Sequence, residues 1–110
     1  MEILEKTGEN PLVVTLNGKL DAVNAGILDQ WTMDRIESLS GGLVIDFGGL
    51  SYVCSSGLRV VLSIAKEMKR LGRRFAICGL YGSVREVFMV SGFMQILPIF
   101  NSLEEAMADE

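Results

Sequence analysis

Apolar residues along this chain switch between two spacings, and the switching predicts strands separated by helices. Leu12-Val13-Val14-Thr15-Leu16 is β-branched and almost continuously apolar, the pattern of a buried strand. It can run on through Gly18 to Leu20. Ile3 to Lys6 reads as a short edge strand before it, with a turn over Gly8-Glu9-Asn10-Pro11. Leu43-Val44-Ile45-Asp46-Phe47 is a second core strand, followed by a short loop through Gly48-Gly49 to Leu50-Ser51-Tyr52-Val53. Arg73 to Cys78 is a third. Ile96-Leu97 with Ile99-Phe100 forms a last strand, which Pro98 confines to an edge or a bulge.

Helical spacing fills the intervals. Val23, Ile27, Leu28, Trp31, Ile36 and Leu39 share one broad helical face, with Asp21 as N-cap and Gly41-Gly42 as the stop. Leu58, Val61, Leu62, Ala65, Met68 and Leu71 recur at steps of three and four, with Arg59, Ser63, Lys66, Glu67 and Arg70 opposite. That is the clearest amphipathic helix in the chain, and Gly72 ends it. Ser83-x-x-Glu86 and Ser102-x-x-Glu105 have the form of capping boxes and open two further helices. Strands alternating with helices imply crossover connections, so the expected fold is a single α/β domain over residues 1–110. It has about five strands and four helices, in a mainly parallel sheet with an antiparallel edge hairpin.

Composition narrows the function. The 110 residues are 49% apolar and carry a net charge of −4, which suits one folded domain and argues against a nucleic-acid surface. No apolar run approaches a membrane span. The amino-terminal residues alternate in charge and lack the form of a signal peptide, so a cytoplasmic location is expected. Cys54 and Cys78 form no CxxC pair and read as two reduced thiols, neither a disulfide framework nor a metal site. There is no histidine, which removes imidazole bases, Ser-His-Asp triads and HExxH zinc sites.

Motifs with catalytic look-alikes carry little. Ser63-x-x-Lys66 matches a penicillin-recognition motif, but its partner motifs are missing and both residues lie on a polar helix face. No phosphate-binding loop is spelled by the glycines. Lys66, Lys69, Arg70, Arg73 and Arg74 are a second false lead, towards anion binding: cations at a helix C-terminus more often simply oppose its dipole and solvate the surface. Cys54-Ser55-Ser56-Gly57 opens the strongest helix. Its serines either cap that helix or expose a hydroxyl at its positive end.

The segment from Asp46 through Cys54-Ser55-Ser56-Gly57-Leu58-Arg59 to Leu62 resembles the central motif of STAS domains. Gly18-x-Leu20-Asp21 with Ala25, and later Gly79, Val84, Phe88 and Ser91-Gly92-Phe93, resemble other parts of the family's pattern in the right order. The resemblance covers most of the chain and points to the anti-sigma-factor antagonists. It implies a non-enzymatic regulator whose partner is an anti-sigma factor serine kinase. The antagonist binds that partner when unphosphorylated, freeing the sigma factor, and lets go once Ser56, the serine before the glycine, is phosphorylated. It implies a partner surface formed by Asp21, Asn24, Cys54, Ser55, Ser56, Gly57, Leu58 and Arg59, with no cofactor and no metal. Asp21 and Asp46 are implied to lie near the same end of the sheet. Many antagonists have an acidic residue where this chain has Cys54, and a thiol positions a hydroxyl or a metal poorly. The alternatives are a non-switching STAS scaffold or accessory subunit, in which Ser56 is structural, and a small enzyme or nucleotide-binding protein using Cys54 or the aspartates. The free protein is expected to be a monomer, because its helices have polar outer faces.

Overall fold

The computed structural model describes residues 1–6, 10–38 and 41–108. Five strands lie side by side in chain order: β1 (Glu2–Lys6), β2 (Leu12–Leu20), β3 (Leu43–Val53), β4 (Phe75–Cys78) and β5 (Ile99–Phe100). β1 runs antiparallel to β2, and every later pairing is parallel. A parallel step needs a crossover. α1 (Ala25–Ser38), α2 (Ser55–Arg70) and α3 (Gly82–Val90) supply the three crossovers, and α4 (Leu103–Ala108) follows β5. This is the α/β arrangement expected, with its antiparallel edge.

Strand order explains the layering. Each crossover steps in the same direction across the sheet, and crossovers share one hand, so α1, α2 and α3 fall on one face. There Leu12, Val14, Leu16, Ile45, Phe47 and Ile77 meet Leu28, Val61, Ile64 and Phe88 in the main core. Alternate residues Val13, Val44, Ala76 and Cys78 point the other way and are closed over by Ala106 of α4. Arginines tie the layers. Arg35 of α1 pairs with Glu5 of β1. Arg73 Nη1 donates to Ile36 O at 2.9 Å, serving a carbonyl in the last turn of α1. Arg74 donates to Ala106 O of α4.

Several expectations change. The loop expected at Gly48-Gly49 is strand: β3 runs unbroken from Leu43 to Val53, against a β2 that shifts register between Thr15 and Asn17 and again between Gly18 and Lys19. Gly49 serves close approach. A Cβ there would collide with the Asn17 side chain and lie 2.9 Å from Leu16 O. The inward face of α1 is Ala25, Leu28, Thr32 and Ile36, while Val23 is 85% and Ile27 59% exposed. In α2 the buried line is Gly57, Leu58, Val61, Ile64 and Met68, and Leu62, Ala65 and Leu71 sit on its shoulders. The Ser83 capping box does not form: Tyr81 is the N-cap, and Ser83 Oγ donates instead to Ser51 O at 3.3 Å. Ile96-Leu97 is not strand but the end of a 3-10 turn, leaving β5 two residues long. Ser102 does cap α4, accepting from Glu105 N at 3.1 Å. Gly8, Glu9 and Leu39 lie outside the described residues.

Candidate functional site

β2 and β3 end level with each other, Leu20 opposite Val53, and both strands lead at once into helices. Cys54 N donates to Leu20 O at 3.0 Å, which fixes the start of α2 beside the start of the α1 segment. Two helix N-termini therefore meet at the carboxyl ends of adjacent parallel strands. Two positive helix ends thus lie side by side at the carboxyl edge of the sheet, a setting that favours anionic groups.

The α1 side is closed by a reciprocal pair. Asp21 Oδ1 accepts from Asn24 N at 3.1 Å and from Val23 N at 3.0 Å, while Asn24 Oδ1 accepts from Asp21 N at 2.8 Å. Asn24 Nδ2 also donates to Lys19 O at 2.8 Å. Asp21 thus caps the turn over residues 21–24 that leads into α1, which begins four residues later at Ala25, and the two side chains use most of their polar capacity on the backbone beside them.

The α2 side is more open. Cys54 is the N-cap, with Sγ accepting from Gly57 N at 3.5 Å. A thiol is a weak acceptor. Ser55 and Ser56 are the first two helical residues, Ser55 exposed and Ser56 half-buried. Neither serine caps the helix; position 54 does. Their N–H groups belong to the first turn, which has no intrahelical acceptors, so the helix presents donors and its positive end beside the Ser56 hydroxyl. Gly57 and Leu58 are buried. A Cβ on Gly57 would lie 2.7 Å from Leu20 Cγ and 3.1 Å from Val53 Cγ2, so the glycine lets α2 sit directly on the strand ends. Arg59 is exposed on the outer face.

Asp46 does not join this cluster. It pairs in register with Thr15 and with Cys78, the last residue of β4, well back from the Leu20–Val53 level. Its Oδ1 accepts from Gly48 N at 2.8 Å. The two thiols differ sharply. Burial, with a smaller contribution from the Asp46 carboxylate, pushes the Cys78 thiol up to about 12. Cys54 is half-buried at the surface. At pH 8 only about one Cys78 in ten thousand is then thiolate, the reactive form. Iodoacetamide should modify Cys54 alone in the folded protein and both thiols in urea; equal native rates would show that α4 does not close its side of the sheet. The same shift makes stability fall as pH rises from about 9 towards 12, because the unfolded chain releases this proton first.

Sequence reasoning missed Val23 and Ile27 as surface residues beside the site, and Tyr52, the exposed penultimate residue of β3. The signal was present in the width of the α1 apolar arc, which exceeds what one sheet face can cover. Ser63 is exposed on α2, and among the described residues no cluster of His, Cys, Asp or Glu could hold a metal ion. No helix among them is long and apolar enough to cross a membrane.

The sequence model of the STAS domain matches residues 2–106. A protein of Bordetella bronchiseptica named "Putative anti-sigma factor antagonist BtrV" is 38% identical over 97 residues, covering 88% of this chain and 84% of that protein. The crystal structure of an anti-sigma factor antagonist from Mycobacterium paratuberculosis superposes with a TM-score of 0.86, at 21% identity, over 96% of this chain and 90% of that one. The Bacillus cell fate determinant SpoIIAA in its phosphorylated form superposes with a TM-score of 0.75, at 21% identity, over 96% of each chain. At these identities the two structures speak for the fold, and the Bordetella protein for kinship in sequence.

Proposed function

The chain belongs to the STAS domain family, and from that premise we propose that it is an anti-sigma factor antagonist switched by phosphorylation of Ser56. The observation that carries the reading is the placement of Ser56. It is the second residue of α2, half-buried, where two helix N-termini converge at the strand ends. The partner is an anti-sigma factor with serine kinase activity, and the antagonist itself supplies a hydroxyl and a surface rather than catalysis. It works in the cytoplasm, where ATP and the transcription machinery are found.

Magnitudes show why such a switch leaves the fold alone and still releases the partner. A phosphate adds roughly −1.5 to −2 charges. At a helix N-terminus that charge gains about 0.3–1 kcal/mol from the dipole and first-turn donors, so α2 tolerates it. The same charge trapped without a counter-ion under a docked partner costs about 3 kcal/mol or more, roughly a hundredfold in affinity. The contacting surface in this reading is Asp21, Asn24, Cys54, Ser55, Ser56 and Arg59, with exposed Val23 and Ile27 as its apolar part. Gly57 and Leu58 hold it from behind.

The test is phosphorylation by the cognate kinase with ATP, peptide mapping, and titration of the partner. Phosphate is expected at Ser56. Ser56→Ala should fold, bind and resist phosphorylation, and Ser56→Asp should fold but bind about tenfold more weakly or worse. Ser55→Ala should change little. Phosphate at Ser55 or nowhere, or undiminished binding by Ser56→Asp, would replace this reading with that of a STAS scaffold in which Ser56 is structural.

A further inference from the structure

A second concave site lies at the other end of α2. The shoulder residues Leu62 and Ala65 face Phe75 at the start of β4 and Leu97 before β5, and together they floor a groove of about 370 Å³. Pro98 and Ile96 form its lip, and Ile96, a large apolar side chain, is 64% exposed. Lys66, Lys69 and Arg73 line the same groove. Among the described residues neither lysine has an ion-pair partner, and Arg73 gives one nitrogen to Ile36 O. The one carboxylate of α2, Glu67, is paired with Arg70. In a chain of net charge −4, three cations around an apolar floor are a local reversal of sign.

We propose that this groove binds a free single-chain amphiphilic carboxylate, its hydrocarbon tail on Leu62, Ala65, Phe75 and Leu97 and its carboxylate among Lys66, Lys69 and Arg73. Charge complementarity selects an anion, and the floor selects a ligand that is otherwise apolar. The volume lies in the range of small-molecule pockets, about 300–1,000 Å³. A protein partner fits less well. A standard interface needs about 800 Å² on each side with an apolar centre, whereas the α2 surface next to the groove is Ser63, Lys66 and Arg70, all exposed. The apolar contact is confined to the groove, on the scale of one chain of carbons.

Lys69 is thirteen helical residues from Ser56, roughly 20 Å along α2 at about 1.5 Å per residue. The two sites are therefore separable, and either can fail without the other. The experiment is a titration of the full chain, followed by amide chemical shifts, with decanoate below its micelle concentration. Decyltrimethylammonium and acetate serve as charge and tail controls. Decanoate should saturate, with shifts confined to residues 62–69, 73–75 and 96–98. Decyltrimethylammonium should bind about tenfold more weakly or worse, and acetate not measurably. The double substitution Lys66→Glu with Lys69→Glu, on two exposed side chains, should keep the dispersed spectrum of a folded domain and lose about tenfold in decanoate affinity. Shifts that never saturate or spread over the surface, equal binding of the cationic amphiphile, or an unaffected double variant would each overturn the proposal. So would binding of an acidic amphipathic peptide without binding of decanoate, which would make the groove a protein-docking site.

Discussion

Phe88→Ala should cost about 3–5 kcal/mol, the range for truncating a large aromatic in a closed core. Phe88 is fully buried on α3 and packs edge-on against Phe47 of β3, with ring centroids 5.6 Å apart. It packs in the same way against Phe93 at 6.4 Å. Alanine would remove both ring contacts and leave a void bounded by strand, helix and turn, none of which can collapse inward without breaking pairing. A domain of this size has about 5–15 kcal/mol in total, so the variant should lose a large part of its stability and melt about 15 °C lower. Urea unfolding of Phe88→Ala beside Leu62→Ala checks the placement of the core. Leu62 belongs to the sequence-expected stripe but is only half-buried at the shoulder of α2, and its truncation should cost about 1 kcal/mol. Similar losses for the two would mean that α3 does not close the core as described.

Gly57 should respond oppositely to an ordinary helical glycine. Alanine in a helix normally gains up to about 1 kcal/mol over glycine. At Gly26, in α1, a Cβ would meet nothing within 4 Å, and Gly26→Ala should show that gain. At Gly57 the new carbon would lie 2.7 Å from Leu20 Cγ and 2.9 Å from Leu20 Cδ2, and Leu20 is wholly buried. The clash meets the base of a fixed side chain, so overpacking outweighs propensity. Gly57→Ala should be destabilised by about 1–2 kcal/mol and Gly57→Val by about 3 kcal/mol or more. The helix start would also be lifted off the strand ends, displacing Ser56, so under the proposed switch binding of an anti-sigma factor should fall further than stability alone predicts. Denaturant midpoints of the two alanine variants decide the matter: if both glycines gain equally, α2 does not rest on Leu20.

Much of this was legible because each level of the sequence agreed with the next. β2, β3 and β4 are covered on both faces, so they read as continuous apolar runs, and α2 has one narrow apolar stripe. Cys54 to Gly57 stood out because a strand pattern gave way to a helix pattern there. What was not legible depended on neighbours distant in sequence. Gly48-Gly49 looks like a loop until β2 lies against it, when Gly49 is required by Asn17. Ser83 has the local form of a cap, but its hydroxyl reaches a carbonyl of β3 instead. Val23 and Ile27 have the chemistry of core residues, and only the position of the sheet shows that they face outward. Cys54 is the cap of α2, a role that the sequence pattern left to the serines after it.

Strand order along the sheet repeats strand order along the chain, and this bears on synthesis. A ribosome releases about 5–20 residues per second. The hairpin of β1 and β2 can form first, and each later strand then arrives beside an edge already in place. No segment has to be held open for a partner still inside the exit tunnel, and no strand must be threaded between two others. The exception is the second face of the sheet. Val13, Val44, Ala76 and Cys78 remain uncovered until residues 103–108 emerge, so this apolar side is the last to close and stays open for a chaperone to shield even after α1, α2 and α3 have covered the first.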